Sequence, residues 1–220
     1  MNSTRNGTPM LSTPRNRGRV GSLVSLAAVL VSLLACGITT ISPNTGNGCE
    51  NINCPPPARS DQTAHTYSAQ GFSFQYYDPW QLSQQDDHGA VVSAATDFGD
   101  LSVQLASVTV PAGTSPQALL NSVVQNLDTS QISGLNQEGP IYGAAIGYVA
   151  GAGAEYTGVA SIPNAPSVPV FLQIMASTRG TTGIVFLSTS SLDPSGPNPT
   201  DPRQVPNGEY DRMVNSVVWG

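Results

Sequence analysis

Phe72-Ser73-Phe74-Gln75-Tyr76 places an aromatic ring at every second residue, and this two-residue period constrains the fold more than any other stretch of the chain. Successive side chains of a strand point to opposite faces, so the three rings share one face and predict a half-buried strand with its aromatic side in the core. Gly71 precedes the run, and Asp78-Pro79 forces a turn behind it, ahead of Trp80. Residues 91–95 and 101–110 read as two more strands, with Asp97-Phe98-Gly99-Asp100 between them suited to a hairpin. Further strands are expected around residues 142–148, 155–161, 168–177 and 183–190.

Helical spacing occurs in two places. Ser115 is a favourable N-cap and Pro116 suits the first helical position. Leu119, Leu120, Val123, Val124 and Leu127 then form one apolar stripe. Tyr210, Met213, Val214, Val217 and Val218 repeat the stripe towards the C-terminus, after a Pro/Asp-rich segment over 192–207 that is expected on the surface. This order predicts an α+β domain over residues 66–220, a mostly antiparallel twisted sheet flanked by helices.

The residues ahead of the domain have a different task. Arg5, Arg15, Arg17 and Arg19 lie in a stretch without acids, and residues 20–35 carry no charge. A basic segment, a short apolar segment and small residues at a cut site describe a secretory signal peptide, here residues 1–35. The apolar part is shorter than the roughly 18–20 residues of a spanning helix. Leu33-Leu34-Ala35-Cys36 is similar to a bacterial lipobox. That likeness implies a diacylglyceryl group on the Cys36 thiol and a new N-terminus at Cys36, leaving the protein lipid-anchored on the extracytoplasmic face of the cell membrane. An uncleaved anchor is the alternative, and it puts residues 37–220 on the same side. Residues 36–65, rich in Thr, Ser, Asn, Gly and Pro, read as a flexible tether. Within it, Cys49 and Cys54 pair most naturally as a disulfide in an oxidising compartment. Zinc is the other use of two thiols, but no nearby histidine completes a tetrahedral site.

All 14 acidic residues follow Cys36, whereas only Arg59, Arg179, Arg203 and Arg212 do so among the eight basic ones, and the chain has no lysine. Such a surface repels phosphate, which excludes nucleic acid as a partner and disfavours lipid headgroups.

Few residues suggest chemistry. Asp86-Asp87-His88, with Asp97 and Asp100 across the expected hairpin, has metal-ligand chemistry, but neighbouring side chains on a strand diverge, and a solvated acidic turn fits better. His65 and His88 are the two imidazoles, and no serine sits in a Gly-x-Ser-x-Gly elbow. The small-residue run 143–153 lacks the following helix that a dinucleotide loop needs. No catalytic residue, metal or cofactor is therefore expected. Tyr67, Tyr77 and Trp80, which the alternation does not commit to the core, are candidate partner-binding residues, although a tryptophan after a turn more often plugs a core than serves as a ligand platform.

Gly71-Phe-Ser-Phe-Gln-Tyr-Tyr-Asp-Pro-Trp80 resembles the opening of the PsbP-like family, and Asp211-Arg-Met-Val-Asn-Ser-Val-Val218 resembles its closing helix. The lipobox and tether make the LpqN-type bacterial lipoproteins the most similar group. The resemblance implies a non-enzymatic binding or assembly module for an envelope protein. A carrier of a small hydrophobic ligand or lipid is the alternative, and an extracytoplasmic hydrolase a weaker one. A carrier requires a cavity beneath the 119–127 stripe; a hydrolase requires His88 to meet an acid and a serine.

Overall fold

The computed structural model describes residues 62–96, 99–161, 167–191 and 207–220. The leader, Cys36, the cysteines of the tether, Asp97 and residues 192–206 lie outside the described residues. Along the chain run β1 (Ala64–Ala69), β2 (Phe72–Tyr77), β3 (Gln81–Gln85), β4 (Gly89–Thr96) and β5 (Gly99–Thr109). They are followed by α1 (Pro116–Gln125), β6 (Ile132–Pro140), β7 (Ala145–Ile146), β8 (Val149–Ala160), β9 (Val168–Arg179), β10 (Thr182–Ser191), α2 (Asn207–Asn215) and β11 (Val218–Trp219).

Two sheets result. The larger has the order β3-β4-β5-β10-β9-β8-β6, with β7 paired to β8, and the smaller is β1-β2-β11. Each pairing is antiparallel. Strands far outweigh the two short helices among the described residues, so the fold is β-dominated. This corrects the α+β expectation of a sheet flanked by helices. The two stripes produce helices of only ten and nine residues, and polar stretches without an apolar period, β1, β3 and β6, are strands as well.

Two local expectations change with it. Residues 142–148 form a two-residue strand between turns, with Tyr142 and Tyr148 exposed. The closing stripe breaks at Asn215: Val217 is buried beyond the helix, and Val218 is exposed in β11.

β10 lies between two cores. Val185 and Leu187 point to one side, where Leu119, Leu120, Val123 and Leu127 meet the apolar face of β8 and β9. Ser115 caps α1, its hydroxyl accepting from the Ala118 amide at 3.2 Å. The helix lies close on the sheet: a Cβ at Gly183 would stand 2.6 Å from Leu119 Cδ2. Ile184 and Phe186 point to the other side, where Tyr67, Phe72, Phe74 and Trp80 pack with Tyr210, Met213 and Val214 of α2. Here rings meet rings, Trp80 and Phe186 lying 5.9 Å and 6.1 Å from Tyr210.

Candidate functional site in a groove between two sheet edges

The strand directions sort the connections onto two ends. β1 enters at Ala64, where it faces Tyr77, and runs to the turn at Gln70-Gly71. At that far end four segments are joined side by side. The Gln70 amide donates to the Asp87 carbonyl, the Gly220 amide to the Gly71 carbonyl, and the Gly147 amide to the Val214 carbonyl, each at 2.9 Å. The Trp219 indole adds a 2.9 Å bond to the Ile146 carbonyl. Gly147 is fixed by this seam: its φ is +56°, and a Cβ would stand 2.2 Å from the Val217 carbonyl oxygen.

An open groove of about 630 Å³ lies at this end, between residues 67–70 at the end of β1 and Gln85, Asp86 and Asp87 at the end of β3. Among the described residues, each of these strands is the outermost of its sheet. Their outward backbone can be assigned from the register. The Asp78 amide bonds the Thr63 carbonyl at 3.3 Å, and Ala64 faces Tyr77. Odd-numbered residues of β1 therefore bond β2, while Ala64, Thr66 and Ser68 turn their N–H and C=O groups away from it. Gln70, next in that series, gives its outward N–H to Asp87.

The Asp86 carboxylate shapes the groove's acidic wall, accepting from the amides of His88 at 2.7 Å and Gly89 at 2.9 Å. The Tyr67 hydroxyl lies between the carbonyl oxygens of Asp86 and Gly89, donating to the latter at 2.8 Å. Burial raises its pKa, and the charges of Asp86 and Asp87 push it further up, a sign of negative potential in the groove.

Of the three aromatic residues expected to meet a partner, Tyr67 reaches the groove, though its ring packs on Phe74 at 5.5 Å. Trp80 is buried against Tyr210. Tyr77 lies at the other end, half-buried, with the Arg212 guanidinium 4.8 Å from its ring centre. Arg212 also donates to Gln62 Oε1 at 2.8 Å, and Gln62 Nε2 to the Asp78 carbonyl at 2.9 Å, which fastens the start of the domain. His65 Nε2 meets Asp78 Oδ1 at 3.0 Å, and the ring stacks on Tyr76. That contact holds the exposed Asp78 carboxyl below its ordinary pKa.

Asp100, the second residue of β5, lies opposite Ala95, at the far end of the hairpin from Asp86-Asp87-His88. Among the described residues, no three His, Cys, Asp or Glu side chains come together as metal ligands. No helix among them is long and apolar enough to cross a membrane. The free edge of β1 escapes sequence reasoning because Tyr67 is the one large apolar residue in Ala64–Ala69, which leaves no period to detect.

No family model matches the chain, and no curated protein matches its sequence. Solved structures with a similar chain path include the Ran-binding protein Mog1p of Saccharomyces cerevisiae, at 8% identity and a TM-score of 0.45, over 72% of this chain and 96% of that one. LpqN, described as involved in cell envelope biogenesis of Mycobacterium tuberculosis, matches at 14% identity and a TM-score of 0.33, over 74% and 80%. A protein of Bacteroides thetaiotaomicron matches at 10% and 0.35, over 70% and 48%. Likenesses at this level assign no function.

Proposed function

We propose that this protein is a non-enzymatic binding module with a PsbP-like domain, held on the extracytoplasmic face of the cell membrane by lipid on Cys36. The tether, stiffened by a Cys49–Cys54 disulfide, lets the domain reach a protein partner of the envelope. The observation that carries this reading is the open groove between two outermost strands. The burial of the 119–127 stripe against the sheet, with Leu119 close to Gly183, favours the binding module over the carrier alternative. The hydrolase alternative lacks its constellation: among the described contacts, neither imidazole is bonded to a serine hydroxyl, and His88 is exposed.

A photo-crosslinking residue placed at Ser68 in intact cells tests the groove, with exposed Gln125 on α1 as the control. A discrete protein adduct is expected from position 68 alone. Equal adducts from both positions, or none, overturn the reading. Cys36→Ala tests the anchor separately, since the variant should leave the membrane for the soluble fraction.

A further inference from the structure

Exposed strand edges invite pairing, and proteins blunt them with bulges, prolines, charged side chains or short length. The eight-stranded sheet follows this practice. β6 has two register shifts and ends in Pro140, while β3 is five residues long and has one shift. β11, at one margin of the small sheet, has two residues. β1 at the other margin shows none of these devices. It is six residues in unbroken register, without proline, lysine or arginine. Its outward groups at Ala64, Thr66 and Ser68 lead into the groove, where Gln70 already makes an outward bond to Asp87.

We infer that β1 accepts an added strand from the partner, an extended segment with basic side chains at alternate positions; this rests on the reading of the protein as a binding module. Main-chain bonds to the β1 edge supply the pairing, and alternate side chains of the incoming strand face the same wall. That wall carries Asp86 and Asp87 and, among the described residues, no lysine or arginine. A lysine or arginine segment therefore complements it, whereas the chain's own tether, with Glu50 and Asp61 against Arg59, does not.

The test uses the full-length protein in mild detergent and a fluorescein-labelled peptide, Thr-Lys-Val-Lys-Val-Lys-Thr, beside a version with Glu for Lys, read by anisotropy at low salt. The lysine peptide should bind saturably and the glutamate peptide should not. Asp86→Asn combined with Asp87→Asn keeps the turn's acceptor and should weaken binding about tenfold. Ser68→Pro removes an outward N–H without touching a β1–β2 bond, and should abolish binding while the melting temperature stays near the parent's. Thr66→Pro repeats that test at a second outward residue. Equal binding of both peptides, no binding of either, or full binding by both proline variants overturns the inference. So does a dimer of the protein that Ser68→Pro dissolves, which would make a second copy the occupant. If the position 68 adduct persists in cells while the lysine peptide fails, the binding module stands and the basic strand falls; loss of both removes both.

Discussion

The two faces of β10 are covered by different means. On the Val185 and Leu187 side a helix presses an aliphatic stripe onto β8 and β9, with Tyr156 the one ring in that core among the described residues. On the Ile184 and Phe186 side a three-stranded sheet and a helix supply rings from remote parts of the chain. A helix satisfies its backbone internally, so α1 closes its face without adding an unpaired row of donors and acceptors. A sheet brings its edges with it. Covering the aromatic side with β1, β2 and β11 therefore leaves the β1 edge, and with it the groove, as a by-product of how that core is closed.

Adjacent residues on opposite faces give the severest test of this contrast. Phe186→Ala should cost about 3–5 kcal/mol and Leu187→Ala about 2–5 kcal/mol in urea unfolding, with the phenylalanine the larger loss. A greater loss at Leu187 would show that the aliphatic side dominates. Gly183→Ala comes next, at about 1–3 kcal/mol, because its Cβ would press on Leu119. Gly113 has φ +82° and no neighbour within 4 Å, so alanine there meets backbone strain alone. A cheaper substitution at Gly183 than at Gly113 would refute the close contact beneath α1.

Tyr210 reports on the aromatic side through pH. Its hydroxyl donates to the Thr189 carbonyl at 3.2 Å, and burial holds its pKa well above the ordinary value. Below about pH 10 folded and unfolded states both keep the proton; above it the unfolded chain alone releases it, so stability falls as pH rises. Tyr210→Phe should cost about 1 kcal/mol near neutrality and flatten that alkaline decline in thermal melts. The smallest effect belongs to Asp78. Its lowered pKa supports the fold above the ordinary carboxylate value, and that support disappears as pH falls through the folded value. Melting curves of Asp78→Asn and the parent should differ slightly near neutrality and converge in acid; a gap that widens in acid would contradict the His65–Asp78 contact.

The strands legible in the sequence are those with a buried face. Phe72 and Phe74 lie in the core as their alternation requires, and the expected spans of β5, β9 and β10 fall within two residues of those observed. The α1 stripe is buried at Leu119, Leu120, Val123 and Leu127. β1, β3 and β6 bury little and leave no apolar signature. The run 142–148 has the composition of a strand, but its glycines adopt positive φ, and Tyr148 does too at 63°. As for the site, sequence singled out Tyr67 and the Asp86-Asp87 turn without relating them; the turn's Asp86 carbonyl receives the Tyr67 hydroxyl from 19 residues away.

The sequence by itself determined the buried periods, the cap of α1 and the acidic surface, because each depends on residues near in the chain or on composition alone. Only the tertiary structure decided that the fold is β-dominated, that Trp80 closes a core, and that β1 ends as an exposed edge beside two carboxylates. Those outcomes depend on which strands pair and which face of β10 each segment covers. Such long-range choices are made by the packing of whole surfaces, and a residue's near neighbours in the chain carry no record of them.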